Sequence, residues 1–183
     1  MSEGATHVAV ARARGGSAAP TAPRLDPAVV RAALAEVPDP EIPGVTIVDL
    51  GMVEDLAVDE HGIRVTLLPT FIGCPALDLI RSAVEDRLDV FPLPVTVRFE
   101  FATPWTSDRI TAQGRARLLA SGFAPPGPDR PGSSLLIQLQ TPVPCPNCGS
   151  IRTTLIAPFG PTQCRSIRHC AACRQPFESF KTI

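Results

Sequence analysis

Two short cysteine pairs, Cys145-Pro146-Asn147-Cys148 and Cys170-Ala171-Ala172-Cys173, close the last quarter of the chain and set the strictest limit on what it can fold into. A C-x2-C turn, a gap of twenty-one residues and a second C-x2-C turn converge four thiolates on one tetrahedral ion, for which structural Zn²⁺ is the expected occupant. So short a segment seldom buries enough apolar surface to fold unaided, so the metal is expected to supply much of its stability. An intervening strand pair, Ile151 to Ala157 and Arg165 to His169, would bring the two knuckles together as a β zinc ribbon. Spacing alone leaves open a redox or disulfide use of the pairs, or an iron centre of the rubredoxin kind. Cys164 and His169 also lie in reach as substitute ligands. Four thiolates already close the shell, so Cys164 reads as a small buried residue and His169 as a neighbour of the site.

The remainder of the 183 residues, 44% apolar overall, is long enough for one ordinary domain. Residues 1–24, rich in Ala, Gly, Pro and Arg without apolar periodicity, read as a disordered tail. Their one apolar run, His7 to Ala11, is cut by Arg12 and Arg14, which argues against a secretory signal, and no stretch is apolar enough to span a bilayer. A cytoplasmic setting follows as the expectation, and reducing conditions there favour metal ligation over disulfides. The formal charge of −1 is uneven: residues 25–144 carry nine Arg against sixteen acids, a net of −7, whereas residues 145–183 carry a net of +4.

Local patterns place the elements. Asp26-Pro27 offers an N-cap with proline at the first helical position, and Val29, Val30, Ala33, Leu34 and Val37 form an apolar stripe ended by Pro38 and Pro40. Strands are expected over Met52–Val58 and Ile63–Leu68, joined as a hairpin through Asp59-Glu60-His61-Gly62. A second helix should start at Pro75 or Ala76, with Leu77, Ile80, Val84 and Leu88 inward, followed by a strand, Val95–Phe101. Thr106-Ser107-Asp108 is expected to cap a third helix running to about Ala120, with Gly122 as its stop. The proline- and glycine-rich stretch of residues 124–132 is linker chemistry, placing a domain boundary near residue 132. A first domain then covers residues 25–132 and the ribbon residues 133–183.

An isolated cysteine, Cys74, sits between Gly73 and Pro75 at or just before the second helix. Unpaired N–H groups there favour a thiolate, which predicts a lowered pKa and a better nucleophile or metal ligand. Thr70 and Gly73 would add a hydroxyl and open amides. An inert packing cysteine is the competing reading. No Gly-rich phosphate loop, Ser/His/Asp order or helical carboxylate and histidine pairs of the di-iron type occur, so no catalytic activity is expected.

Taken together, Val37-Pro38-Asp39-Pro40-Glu41-Ile42-Pro43, Val48-Asp49-Leu50-Gly51-Met52-Val53 and Leu68-Pro69-Thr70-Phe71-Ile72-Gly73-Cys74-Pro75-Ala76 resemble the SufT-like iron–sulfur assembly family. Pro104-Trp105-Thr106-Ser107-Asp108-Arg109-Ile110-Thr111, Gly122-Phe123-Ala124-Pro125-Pro126, the four-cysteine module and Pro176-Phe177-Glu178-Ser179-Phe180-Lys181 resemble its PaaD (PaaJ) branch, accessory subunits of the bacterial phenylacetyl-CoA epoxidase system. The resemblance implies an α/β (α+β) domain, a small mixed sheet packed by helices, plus the ribbon. It implies a maturation factor whose partners are the epoxidase's oxygenase or reductase subunits, and no membrane. Residue by residue, the family's cysteine falls on Cys74 and its acidic loop on Asp39 and Glu41. Cys74 would hold iron or an iron–sulfur cluster transiently, with Asp39, Glu41 or Thr70 orienting it or taking a proton. A cluster generally needs four cysteine ligands, so a homodimer or the client would complete the shell. The competing reading of Asp39 and Glu41 is a proline-stiffened loop with solvated acids. Trp105 reads as packing between strand and third helix. PaaD-like chains often carry a further cysteine where this one has Thr182. The alternative function is a ribbon adaptor that docks protein or nucleic acid through its basic charge, against which Phe159, Phe177 and Phe180 sit where they can pack a tiny core instead, and a redox enzyme is a third. Nucleic acid is not expected, because no stripe of interleaved aromatic and basic residues exists.

Overall fold

The computed structural model describes residues 25–127 and 141–181. The expected tail, the boundary near residue 132 and Thr182 lie outside the described residues.

Helix α1 (Pro27–Leu34) begins as its sequence dictates: the Asp26 carboxylate accepts from the Ala28 N–H at 2.8 Å, with proline at the first position. Val30, Ala33 and Leu34 are buried, but Val29 is half exposed, so the inward stripe is narrower than expected. Strands β1 (Val53–Asp59) and β2 (Gly62–Leu67) form the expected antiparallel hairpin, Val58 opposite Ile63. Helix α2 (Leu77–Leu88) then carries the chain to β3 (Val95–Phe99), which runs parallel to β2. The resulting mixed sheet has the order β1-β2-β3. Ile63, Val65 and Leu67 of the central strand are fully buried with Leu34, Ile80, Val84 and Leu88. Each such side chain contributes about 1.5–3 kcal/mol by leaving water.

The α1–β1 loop is rigid for an electrostatic reason. Asp49, 4% exposed, accepts from the Thr46 N–H at 2.9 Å and hydroxyl at 3.0 Å, and its carboxylate meets Arg117 Nη1 at 2.6 Å. Gly51 adopts φ 63°, and a Cβ there would collide with the Arg109 carbonyl, so no other residue fits that approach.

The third helix departs from expectation. Ser107–Arg109 form a separate 3-10 turn and Ile110 is extended; α3 (Ala112–Ala120) starts only at Thr111, whose hydroxyl accepts from the Gly114 N–H at 2.9 Å. Tertiary contacts override the local cap: Ile110 is buried, and the Thr111 N–H donates to the Asp49 carbonyl at 2.9 Å.

The ribbon sheet holds β4 (Phe123–Ala124), β5 (Thr153–Ala157), β6 (Arg165–Cys170) and β7 (Pro176–Phe180), in the order β4-β7-β6-β5. The β5–β6 pair matches the sequence reading; β4 and β7 go beyond it. Because β4 directly follows α3, the ribbon sheet is anchored on the first domain. Its small core is Ala124, Val143, Cys145, Cys170 and Phe177. Phe180 instead enters the larger core, 6.0 Å from the Trp105 ring, whose Nε1–H donates to the Leu50 carbonyl at 2.8 Å. Phe159 is exposed rather than part of the ribbon core, with Lys181 Nζ 3.9 Å from its ring centroid. Among the described residues, no helix is long and apolar enough to cross a membrane.

Candidate metal and thiol sites

The four ribbon cysteines stand on two matching turns. The Gly149 N–H donates to the Cys145 carbonyl at 2.8 Å and the Arg174 N–H to the Cys170 carbonyl at 2.9 Å. The residue after each second cysteine is left-handed, Gly149 at φ 71° and Arg174 at φ 61°. Glycine takes this conformation freely, whereas Arg174 does so at a cost of roughly 1–2 kcal/mol. Cys145 Sγ lies 3.7 Å from Cys173 Sγ and Cys148 Sγ 3.6 Å from Cys170 Sγ, and all four sulfurs are within 4.8 Å of one another. A tetrahedron of zinc–sulfur bonds about 2.3 Å long has edges of about 3.8 Å, so the donor set fits that ion. The N–H groups of Cys173 and Ala172, with sulfur neighbours, lower the Cys170 thiol to about 6. Although the Gln175 N–H pulls Cys173 down, burial and the crowding sulfurs Cys145, Cys148 and Cys170 outweigh it and push Cys173 up to about 12. A divalent cation removes that conflict by neutralising the thiolates it gathers. Cys164 and His169 stand outside the group. Of the ribbon's five basic side chains, Arg165, Arg168 and Lys181 are buried, so most of its positive charge is internal.

Cys74 lies half-buried in the turn after β2, two residues before Ala76, the N-cap of α2. Its sulfur accepts from the Ala76 N–H, as a helix N-terminus should provide. The expected lowering nevertheless fails. Burial pushes the Cys74 thiol up, and the nearby carboxylates of Glu41 and Asp39 push it further, which together outweigh the single N–H. Asp39 accepts from the Glu41 N–H at 2.9 Å. Burial raises its pKa, offset in part by the Glu41 and Ile42 N–H groups and by Arg165. Glu41 is also raised, by burial and by Asp39, with Arg165 opposing. The charges of the acidic loop therefore reach the thiol. Thr70 is half-buried four residues upstream, and among the described residues its hydroxyl forms no hydrogen bond tying it to them.

Two participants were not foreseen, and both come from the ribbon. Arg165 lies within electrostatic reach of Asp39, Glu41 and Cys164 while pairing with Glu178 at 2.9 Å and covering the Phe123 ring at 5.2 Å. Cys164 lies within electrostatic reach of Cys74 and Glu41. No local pattern relates residue 164 to residue 74; packing alone does so.

The fold and its clearest site together define a small mixed α/β domain bearing a four-cysteine, zinc-ribbon-type appendage. The profile of the family described as iron-sulfur cluster assembly protein matches residues 27–99, and that of the PaaD zinc beta ribbon domain matches residues 129–181. An Escherichia coli K12 protein, provisionally named as one of the subunits of 1,2-phenylacetyl-CoA epoxidase, is 39% identical over 153 residues, covering 83% of this chain and 90% of that one. The chain belongs to this PaaD family. It is also similar to the Fe-S protein maturation auxiliary factor YitW of Bacillus subtilis 168, 35% identical over 92 residues, covering 49% of this chain and 89% of that one. A solved domain of unknown function, DUF59, from Bacillus anthracis aligns with 33% identity and a TM-score of 0.47, covering 50% of this chain and 90% of its own.

Proposed function

We propose that this chain is a non-catalytic accessory factor of a phenylacetyl-CoA epoxidase complex in aerobic phenylacetate degradation, assisting assembly of an iron or iron–sulfur centre in the oxygenase or reductase. On this reading residues 25–132 handle the metal and residues 133–183 form a ribbon built on structural Zn²⁺, held by Cys145, Cys148, Cys170 and Cys173. The observation that carries the reading is the Cys74 thiol, half-buried beside the carboxylates of Asp39 and Glu41, on the domain that resembles iron–sulfur assembly proteins.

One soft sulfur and two hard carboxylates attract iron without enclosing it. The carboxylates would attract an incoming cation, the Cys74 thiol would give up its proton to solvent as it becomes a ligand, and the incomplete shell leaves positions for a client, or a second protomer, to take over. Thr70 would orient the ligand from the same turn.

The test is to produce the client complex together with this chain carrying Cys74→Ser and to measure iron per client. The expected result is unchanged folding of the variant and client iron lowered several-fold. Full loading with the variant would reject the role of Cys74.

A further inference from the structure

We propose that Phe180 is a positioning residue for the Cys74 turn: the β6–β7 hairpin, closed at one end by ribbon cysteines and plugged at the other into the larger core, makes the order of that turn depend on the ribbon's metal. The proposal deepens the maturation reading, on which its functional meaning rests.

The hairpin reaches from one half of the chain to the other. Cys170 ends β6 and Cys173 follows in the turn, so two of the four clustered sulfurs belong to its closed end. The register runs from His169 opposite Pro176, beside the knuckle, to Arg165 opposite Phe180 at the open end. There, at the seam between the two halves, Phe180 and Cys164, the residue before β6, are buried in the core of the first domain, against which Cys74 also packs. The Lys181 N–H donates to the Cys164 carbonyl at 2.9 Å and ties the two strand ends together. A two-stranded hairpin is at best marginally stable alone, and β4 adds only the pairs Phe123 with Glu178 and Ala124 with Ser179. Its other neighbour, β5, follows the first knuckle and hangs on the same sulfur cluster. Keeping Phe180 seated therefore falls largely to the knuckles.

From Phe180 a run of direct contacts leads to the Cys74 turn. The Phe180 ring stands 6.0 Å from that of Trp105, which is 4% exposed, and Trp105 Nε1–H donates to the Leu50 carbonyl at 2.8 Å. Leu50 lies in the loop that Asp49 stiffens, and just beyond it the Met52 carbonyl accepts from the Leu68 N–H at 2.7 Å. Leu68 opens the segment that closes at Cys74, whose N–H donates to the Phe71 carbonyl at 3.1 Å. Leu50, Met52 and Leu68 are buried in one core with Trp105 and Phe180, and a close-packed interior passes on the displacement of any member. Unseating Phe180 would leave a cavity beside Trp105 and loosen its hold on the Leu50 carbonyl. The seated and unseated hairpin are the two discrete positions that coupling between separated sites requires.

The experiment follows the full chain in reducing buffer before and after zinc is removed with a strong chelator, using the single tryptophan, Trp105, as reporter. Zinc removal is expected to move Trp105 emission to longer wavelength and to raise both its quenching by acrylamide and the alkylation rate of Cys74, read at its own peptide, several-fold. Amide protection in β2 should persist. Phe180→Ala should reproduce these changes with zinc still bound and respond little to the chelator. Because coupling is reciprocal, it should also weaken zinc several-fold in chelator competition. Phe180→Leu, which keeps part of the apolar contact, should fall between the two and carries the comparison if Phe180→Ala does not fold. An unchanged Cys74 rate after zinc removal would overturn the proposal, as would loss of protection in β2 together with the ribbon, which would make the chain one unfolding unit. If Cys74→Ser starves the client of iron while zinc-bound Phe180→Ala keeps a wild-type Cys74 rate and loads the client fully, the coupling falls and the maturation reading stands. If the coupling is seen but Cys74→Ser loads the client fully, the maturation reading falls and the coupling stands.

Discussion

The ribbon knuckles and the seam both offer sulfur, but they differ in how much of the ligand shell is assembled before any ion arrives. In the ribbon, two matching turns fold on backbone hydrogen bonds and set four sulfurs within 4.8 Å of one another. In the seam, Cys74 and Cys164 come from different halves, are raised by burial and keep carboxylates and cations as neighbours. The first arrangement leaves little reorganisation for an incoming ion to impose, whereas the second offers no preassembled set of donors.

The largest effect expected from breaking this contrast is metal removal. Structural zinc in such modules is worth about 10–16 kcal/mol of apparent folding energy, so strong chelation should abolish amide protection across β5–β7 in hydrogen exchange. Survival of that protection would mean the ribbon is not built by its metal. Next comes Trp105→Ala, expected to cost about 3–5 kcal/mol in denaturant unfolding, because it opens a cavity against Phe180 and removes the donor to Leu50. A loss under about 1 kcal/mol would show that the seam is not a packed joint. Cys74→Ser, by contrast, should change stability by no more than about 1 kcal/mol, since the side chain is only half-buried.

The smallest effect is a pH profile. With zinc bound, alkylation of Cys74 should rise with a midpoint above the ordinary thiol range, because burial and then Glu41 and Asp39 hold its proton. Glu41→Gln should move that midpoint down. The sign for stability is the reverse of a salt-bridged carboxylate's: the folded chain binds the proton more tightly than the unfolded chain. The Cys74 contribution is therefore complete below the ordinary thiol pKa and lost as pH rises through the raised folded value. A midpoint below the ordinary range would restore the thiolate that the helix terminus alone suggests.

Where a feature depends on neighbours in the chain, it was readable. Asp26-Pro27 starts α1, Gly62 turns the hairpin, and the C-x2-C turns forecast the sulfur cluster. Where it depends on partners elsewhere, local rules misled. Thr106-Ser107-Asp108 looks like a cap, but burial of Ile110 and the Asp49 carbonyl move the start of α3 to Thr111. Phe180 looks like ribbon core and fills the other domain instead.

Sequence by itself determined the knuckle spacing, the caps and turns, the family and the placement of Cys74 before a helix, since each follows from residues adjacent along the backbone. Only the tertiary structure decided that Cys74 keeps its proton and that a ribbon thiol and guanidinium join its surroundings. Desolvation and Coulomb interactions act through space, and the pairing of β4 with β7 sets which residues share that space.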